Sequence, residues 1–393
     1  MKRYRSGTGT GTPVLNGAAG SLTDLLDAVL VDGYGLKTAS SSAITGGQCT
    51  LTVTGGHAAD TRMTILVSGA TGAFTGLNGE QVVTATGANS VSFATGITGT
   101  PTGTITFKIA ALGWTRAFTG TNKRAFKSAS VMSTGLYLRV SDTTTAPSDV
   151  RVVGYETMTD VDTGAKPFPM DSQVSGGLYW PKSDTNDSSA RGWDIWGDDR
   201  LFFIRVRANS DWVTNPSGSV HYFGDPISFK AGDAYGAIIS GSRSNSAGAF
   251  NVDFHGGSAG FNNPAVTTDF SSYLARGYSG IGGAVGLTHQ AVMAANQAYS
   301  GSSNLMASTY AFPNGPDNGL FVGPVFLYSE NGIRGRLPGA LFCPQSATGS
   351  FSNGTQVAGT GDYAGRTLEA VRVGQTTGAD AGVLFVDLTG AWR

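Results

Sequence analysis

The sequence predicts an all-β protein: an antiparallel β-sandwich or jelly-roll-like body, a second and smaller β-sandwich inserted into it, and one short N-terminal helix. Three observations predict this. The 58 glycines follow no collagen-like period and fall between short apolar runs, where turns fall in a β protein. Within those runs apolar and polar residues alternate, which sends them to opposite faces of a pleated strand. Only 13% of residues are charged, unlike disordered chains, which pair low hydrophobicity with high charge.

Residues 1–36 form the first unit. Residues 1–20 are rich in Gly, Thr and Ala and read as an extended arm without structure of its own, to be ordered against a neighbour. "SLTDLLDAVL" is the clearest helix. Leu22, Leu25, Leu26, Val29 and Leu30 make one apolar stripe, Ser21 suits the N-cap, and Asp24 suits the first turn. About ten residues make a marginal helix in isolation, so the stripe must dock. These five residues are the expected assembly contacts.

Residues 37–110 change texture. This stretch has no Trp or Tyr, and its runs are short and closed by Gly: "QCTLTVT", "TRMTILVSG", "EQVVTATG", "SVSFATG" and "GTITFKIA". Alternating runs with turns between them describe a small antiparallel sandwich. Residues 111–393 form the main body, with strand candidates such as "GLYLRV", "VRVVGYETM", "LFFIRVRA", "SVHYFG", "TLEAVRVG" and "GVLFVDL". "TTDFSSYLARG" (267–277) is expected to be a short helix stopped by Gly277. No fixed repeat is visible, which disfavours a propeller or solenoid.

Composition excludes several functions. A formal charge of −1 argues against nucleic-acid binding, which gathers Lys and Arg on one face. Lys2, Arg3 and Arg5 are expected in a solvated arm, and Lys123, Arg124 and Lys127 on a solvated edge. No run reaches the ~20 apolar residues of a membrane span. The basic start lacks the apolar core of a signal peptide, so assembly in a host cytoplasm is expected. Cys49 and Cys343 are expected to be buried free thiols.

"GWDIWGDDRLFFIRV" is the densest chemical cluster. Phe202, Ile204 and Val206 alternate with Leu201, Phe203, Arg205 and Arg207, so this is a buried strand. Trp193 and Ile195 alternate with Asp194 and Trp196, and "GDD" supplies a turn. A hairpin therefore explains the aspartates without catalysis. "DTNDSS" and "DVDTG" space oxygens as calcium loops do, but neither completes an EF-hand. His57, His221, His255 and His289 are isolated. There is no HExxH, GxSxG, Walker or CxxC motif. "GTGTGT" (7–12) looks like a phosphate loop but reads as a linker. No catalytic residue, cofactor site or metal site is assigned. Trp180, Trp193, Asp194 and Trp196 are the candidate glycan contacts, because aromatic–acid neighbours suit sugars as well as cores.

Two resemblances follow. "GAFTGLNGEQVVTATGANSVSFATGITGTPTGT" resembles the immunoglobulin-like (IPT/TIG-type) modules frequently inserted in phage virion proteins, implying an immunoglobulin-like, exposed inserted domain. "GWTRAFTGTNKRAFKS", "VRVVGYETMTDVDTGAKPFP", "LYWPKSD", "DIWGDDRLFFIRV", "YFGDPISFKAGDAYGAIISG", "RGRLPGALFCP" and "VLFVDLTGAWR" resemble a family of tailed-phage and prophage tail or minor tail proteins. That match covers 1–35 and about 112–393. It implies a non-enzymatic structural subunit of a virion that assembles through its arm and helix with copies of itself or with other virion proteins. The alternatives are a capsid decoration or collar protein, and a receptor-binding lectin or depolymerase.

Overall fold

Alternating runs become strands almost wherever they occur. The computed structural model describes residues 1–145, 150–209, 211, 213, 218–243, 272–289, 310–330, 332–347, 349–374 and 380–393. The protein is all-β, and among the described residues its strands pair antiparallel apart from Tyr310–Ala311 with Gln345–Ser346 and an isolated parallel bridge between Gly218 and Val373. The predicted helix 267–277 fails in its described part: Ser272–Leu274 is a strand, paired on both sides and buried. Residues 267–271 lie outside the described residues.

The largest sheet curls into a half-barrel. Its order runs Lys2–Arg5, Gly192–Gly197, Leu201–Arg207, Ser219–Gly224, Ile238–Ser240, Ser272–Leu274, Val285–His289, Gly323–Ser329, Gly332–Phe342, Asp380–Asp387, Thr367–Gly374 and Gln356–Ala358. The curl brings Gly218 beside Val373. Trp196, Phe203, Tyr222, Val371, Leu384 and Trp392 fill its interior. On its outer face Trp193, Phe202, Ile204 and Phe223 pack against a second sheet made from strands between Trp114 and Trp180. The Trp114 and Trp180 rings meet Phe202 edge-on, at 5.2 and 6.1 Å.

The arm is not an arm. Lys2–Arg5 pairs in register with Gly197 to Asp194, which makes it the first strand of the large sheet. Tyr4 and Leu15 are buried. The terminal ammonium of Met1 reaches the Gly390 carbonyl oxygen, so both chain ends meet.

The helix exists as Ser21–Leu26, continued by a wider π-turn over Asp27–Asp32. Ser21 is not its cap. Gly20 takes the left-handed conformation that a side chain disfavours (φ +87°), and the Leu22 N–H donates to the Asp142 carboxylate at 2.8 Å. Asp142 is paired with the equally buried Lys182, whose ammonium also donates to the carbonyls of Ala18 and Thr144. At the other end the N–H groups of Leu112 and Gly113 donate to the carbonyls of Val29 and Leu30.

Seven strands between Tyr34 and Ile109 form a separate β-sandwich. Gly79–Gly87 bends at a bulge between Val83 and Ala85 and serves both layers. Tyr34 pairs with Ile109, so the chain enters and leaves side by side. The core of this unit is nevertheless continuous with the helix and the outer face of the body. Tyr4 Oη donates to the Ala110 carbonyl at 2.8 Å, and Arg62 Nε donates to Gln356 Oε1 at 3.0 Å.

Deleting 1–30 removes an edge strand and five buried apolar side chains of the helix. Burial of one such side chain stabilises by about 1.5–3 kcal/mol, so the truncated chain is expected to be insoluble or to lose its cooperative thermal transition. A soluble truncation with native near-ultraviolet circular dichroism would contradict this.

Candidate functional site

Leu22, Leu25, Leu26, Val29 and Leu30 are all 1% exposed or less, against the chain's own core. The expected assembly stripe is therefore internal and offers no neighbour a face. The expected sugar platform fails for the same reason. Trp180, Trp193, Asp194 and Trp196 are also at 1% or less. Trp180 Nε1 donates to the Ser240 carbonyl and Trp193 Nε1 to the Pro13 carbonyl. Trp180 also stacks on His221. Trp193 and Trp196 point to opposite sides of their sheet, so the four groups do not converge.

The hairpin itself forms as expected. Gly192–Gly197 pairs with Leu201–Arg207, and Asp198 Oδ1 accepts the N–H groups of Arg200 and Leu201 in the turn. Alternation puts Asp194, Arg205 and Arg207 on the inner face. Arg205 Nη1 donates to Asp194 Oδ2 at 2.8 Å, and Arg207 Nη2 lies 3.3 Å from the same oxygen. Arg3 and Arg5 enter from the edge strand. Arg3 Nε lies 2.7 Å from Glu369 Oε2, and Arg3 Nη1 lies 3.4 Å from Asp60 Oδ2 in the small sandwich. The expected solvated arm thus becomes the middle of a buried ion network.

The network sets its own protonation. Burial pushes Asp194 upward, but Arg207, Arg205, Arg5 and Arg3 outweigh it and hold the carboxyl below its ordinary value. Burial pushes Glu369 up, and Arg3 only partly compensates. Burial brings Arg205 down to about 9 against the pull of Asp194.

Several of the remaining acidic candidates are also held by cations, whereas Asp160 accepts the N–H groups of Asp162 and Thr163. Asp184 and Asp187 both bind Arg191. Asp162 binds Lys123 and Arg139. Arg124 reaches Asp27 of the π-turn at 2.6 Å, which anchors the predicted solvated edge to the helix. Among the described residues no group of three His, Cys, Asp or Glu side chains could hold a metal ion. Both thiols are free and buried, and burial pushes Cys343 up to about 11. His57 is held at both ring nitrogens, by the Gly87 and Ser90 carbonyls and the Ala59 N–H. His255 lies outside the described residues.

No protein-family model and no curated protein matches this chain. Exposed apolar side chains stand out on the described surface. Phe229, Tyr278 and Ile333 are more than half exposed and lie on neighbouring segments: the Phe229 N–H donates to the Arg334 carbonyl, and Lys230 and Arg334 both lie over the Tyr278 ring. Val131 is almost wholly exposed and Met132 largely so, on a separate loop. Sequence alternation alone does not mark either surface.

Removing Asp194 leaves two buried guanidinium groups facing each other. Asp194→Asn is expected to cost about 3–5 kcal/mol at pH 7, as breaking a buried pair does. The depressed pKa makes this stabilisation complete above the ordinary carboxylate range. It is lost as pH falls through the folded-state value. Urea unfolding from pH 7 to pH 3 should show the wild-type advantage shrinking below about pH 4. A constant difference across that range would contradict the assignment.

Proposed function

We propose that this chain is a non-enzymatic structural subunit of a bacteriophage particle, seated in the tail or its tip. It joins other virion proteins and copies of itself there. The observation that carries the reading is the set of exposed side chains Phe229, Tyr278 and Ile333 on neighbouring segments, on a body in which several acidic candidates are held by internal cations. Large exposed apolar groups gathered in one region of a surface mark interaction sites. The same body gives a rigid part: helix, small sandwich and hairpin share one core. The resemblance of the body segments to phage tail proteins supplies the particle. The buried tryptophans remove the reason for placing a lectin or depolymerase site at Trp180, Trp193, Asp194 and Trp196.

Gold-labelled antibody against the purified chain, applied to phage particles from the strain that encodes it, is expected to decorate the tail or tip. Label over the head would assign a decoration or collar protein instead. Unlabelled particles that also lack the chain by mass spectrometry would remove the virion reading. Incubation with host polysaccharide is expected to release no reducing sugar.

A further inference from the structure

The "GTGTGT" stretch has a role the structural reading does not use. It follows the strand Lys2–Arg5 after one residue, Ser6, and it is not an extended linker. Gly7, Gly9 and Gly11 all take positive φ, at +74°, +135° and +94°. Alternating left-handed residues turn successive N–H groups toward one concavity, a common anion cradle. Among the described residues, the N–H groups of residues 7–11 donate to no protein group. The loop is held in shape by the Thr8–Thr12 hydroxyl bond and by Thr12 Oγ1 donating to the Gly9 carbonyl. Gly9 is required there, because a Cβ would lie 2.3 Å from the His57 carbonyl oxygen.

The loop walls a cleft of about 540 Å³, closed on the far side by Gly56, Thr86 and Ala88 of the small sandwich. Arg5 lines it. Its nearest carboxylates are Asp60 at 3.8 Å and Asp194 at 4.0 Å, both beyond hydrogen-bond length. Its side chain is 26% exposed, and among the described residues its guanidinium pairs with these carboxylates only at long range and makes no hydrogen bond to a protein group. Asp60 lines the same cleft and keeps acceptor capacity, with Thr61 N–H on Oδ1 and Arg3 at 3.4 Å from Oδ2. A cation and an acceptor carboxylate side by side suit a ligand that carries both a negative group and hydroxyls. A bare dianion would meet Asp60 as a like charge.

The geometry points to a binding site for a monoanionic acidic saccharide, of the uronic type. Its carboxylate would meet Arg5 and the loop N–H groups, a ring hydroxyl would donate to Asp60, and the threonine hydroxyls would complete the wall. The guanidinium fork matches a planar carboxylate. This site is separate from the buried tryptophans, and it does not depend on where in a particle the chain sits.

Isothermal titration of the full chain with a galacturonate disaccharide, the neutral galactose disaccharide and inorganic phosphate tests this. Saturable binding of the acidic disaccharide is expected, at least tenfold tighter than of either control. Arg5→Gln and Ala88→Glu, the second placing a like charge on the exposed rim, should each weaken it at least tenfold. Ala88→Glu decides alone if Arg5→Gln does not fold. Absence of saturable binding, or affinity unchanged in Ala88→Glu, overturns the site. Phosphate binding as tight as the uronate overturns the saccharide assignment, and equal binding of the neutral sugar overturns the role of Arg5.

Discussion

A carboxylate buried between guanidinium groups governs this architecture. Asp194 lies on the inner wall of the curled sheet, where an ionised group is costly unless its charge is met at close range. The cations that meet it come from its own hairpin partner and from the chain start, with Arg3 extending the network to Glu369 near the chain end. Satisfying one ion therefore helps bring the first strand, the central hairpin and the last hairpin together. Asp60 extends the same requirement into the small sandwich. The strand ladder would tolerate many arrangements of these segments, whereas the charges tolerate few.

The helix obeys a related rule. Its six regular residues cannot persist alone, and its first N–H groups need acceptors. Asp142 supplies one from more than a hundred residues away, itself neutralised by Lys182. Burial pushes Asp142 upward, and its bonds to Lys182 and to the helix backbone oppose that shift. The leucine stripe then closes onto strands of the second sheet and onto the small sandwich, so the helix works as a keystone and not as a projecting handle.

Local alternation made the strands legible. "QCTLTVT" and "LFFIRVRA" declare both their conformation and their faces, and Cys49, Leu51 and Val53 are buried together as their spacing requires. Alternation carries no information about what covers a face. Trp193 and Trp196 were equally consistent with a platform or a core, and only the second sheet and the curl of the first decide between them. Composition also misjudges short polar segments. Residues 1–20 carry little apolar payload, yet Tyr4 and Leu15 suffice to seat them. One signal for the ion network was present: Arg205 and Arg207 occupy positions whose register demands burial, and a buried arginine requires a nearby carboxylate. Arg3 and Glu369 could not be found that way, because their pairing depends on sheet closure across almost the whole chain. "SSYLARG" failed because its apolar pair, Tyr273 and Leu274, is used by flanking strands and not by a helical stripe.

The meeting of the chain ends has a consequence for biosynthesis. Lys2–Arg5 finds no strand partner until Gly192–Gly197 exists. Translation at about 5–20 residues per second leaves that first strand waiting roughly ten to forty seconds on the ribosome. Arg3 waits longer still for Glu369, which lies more than 360 residues further along the chain. The small sandwich, whose strands all pair within 34–109, can form meanwhile. Nascent chains therefore carry a folded bead between an unpaired first strand and an unfinished body, and closure of the half-barrel waits on its last strands and is dominated by long-range loop closure. Premature release yields an exposed edge rather than a smaller version of the protein.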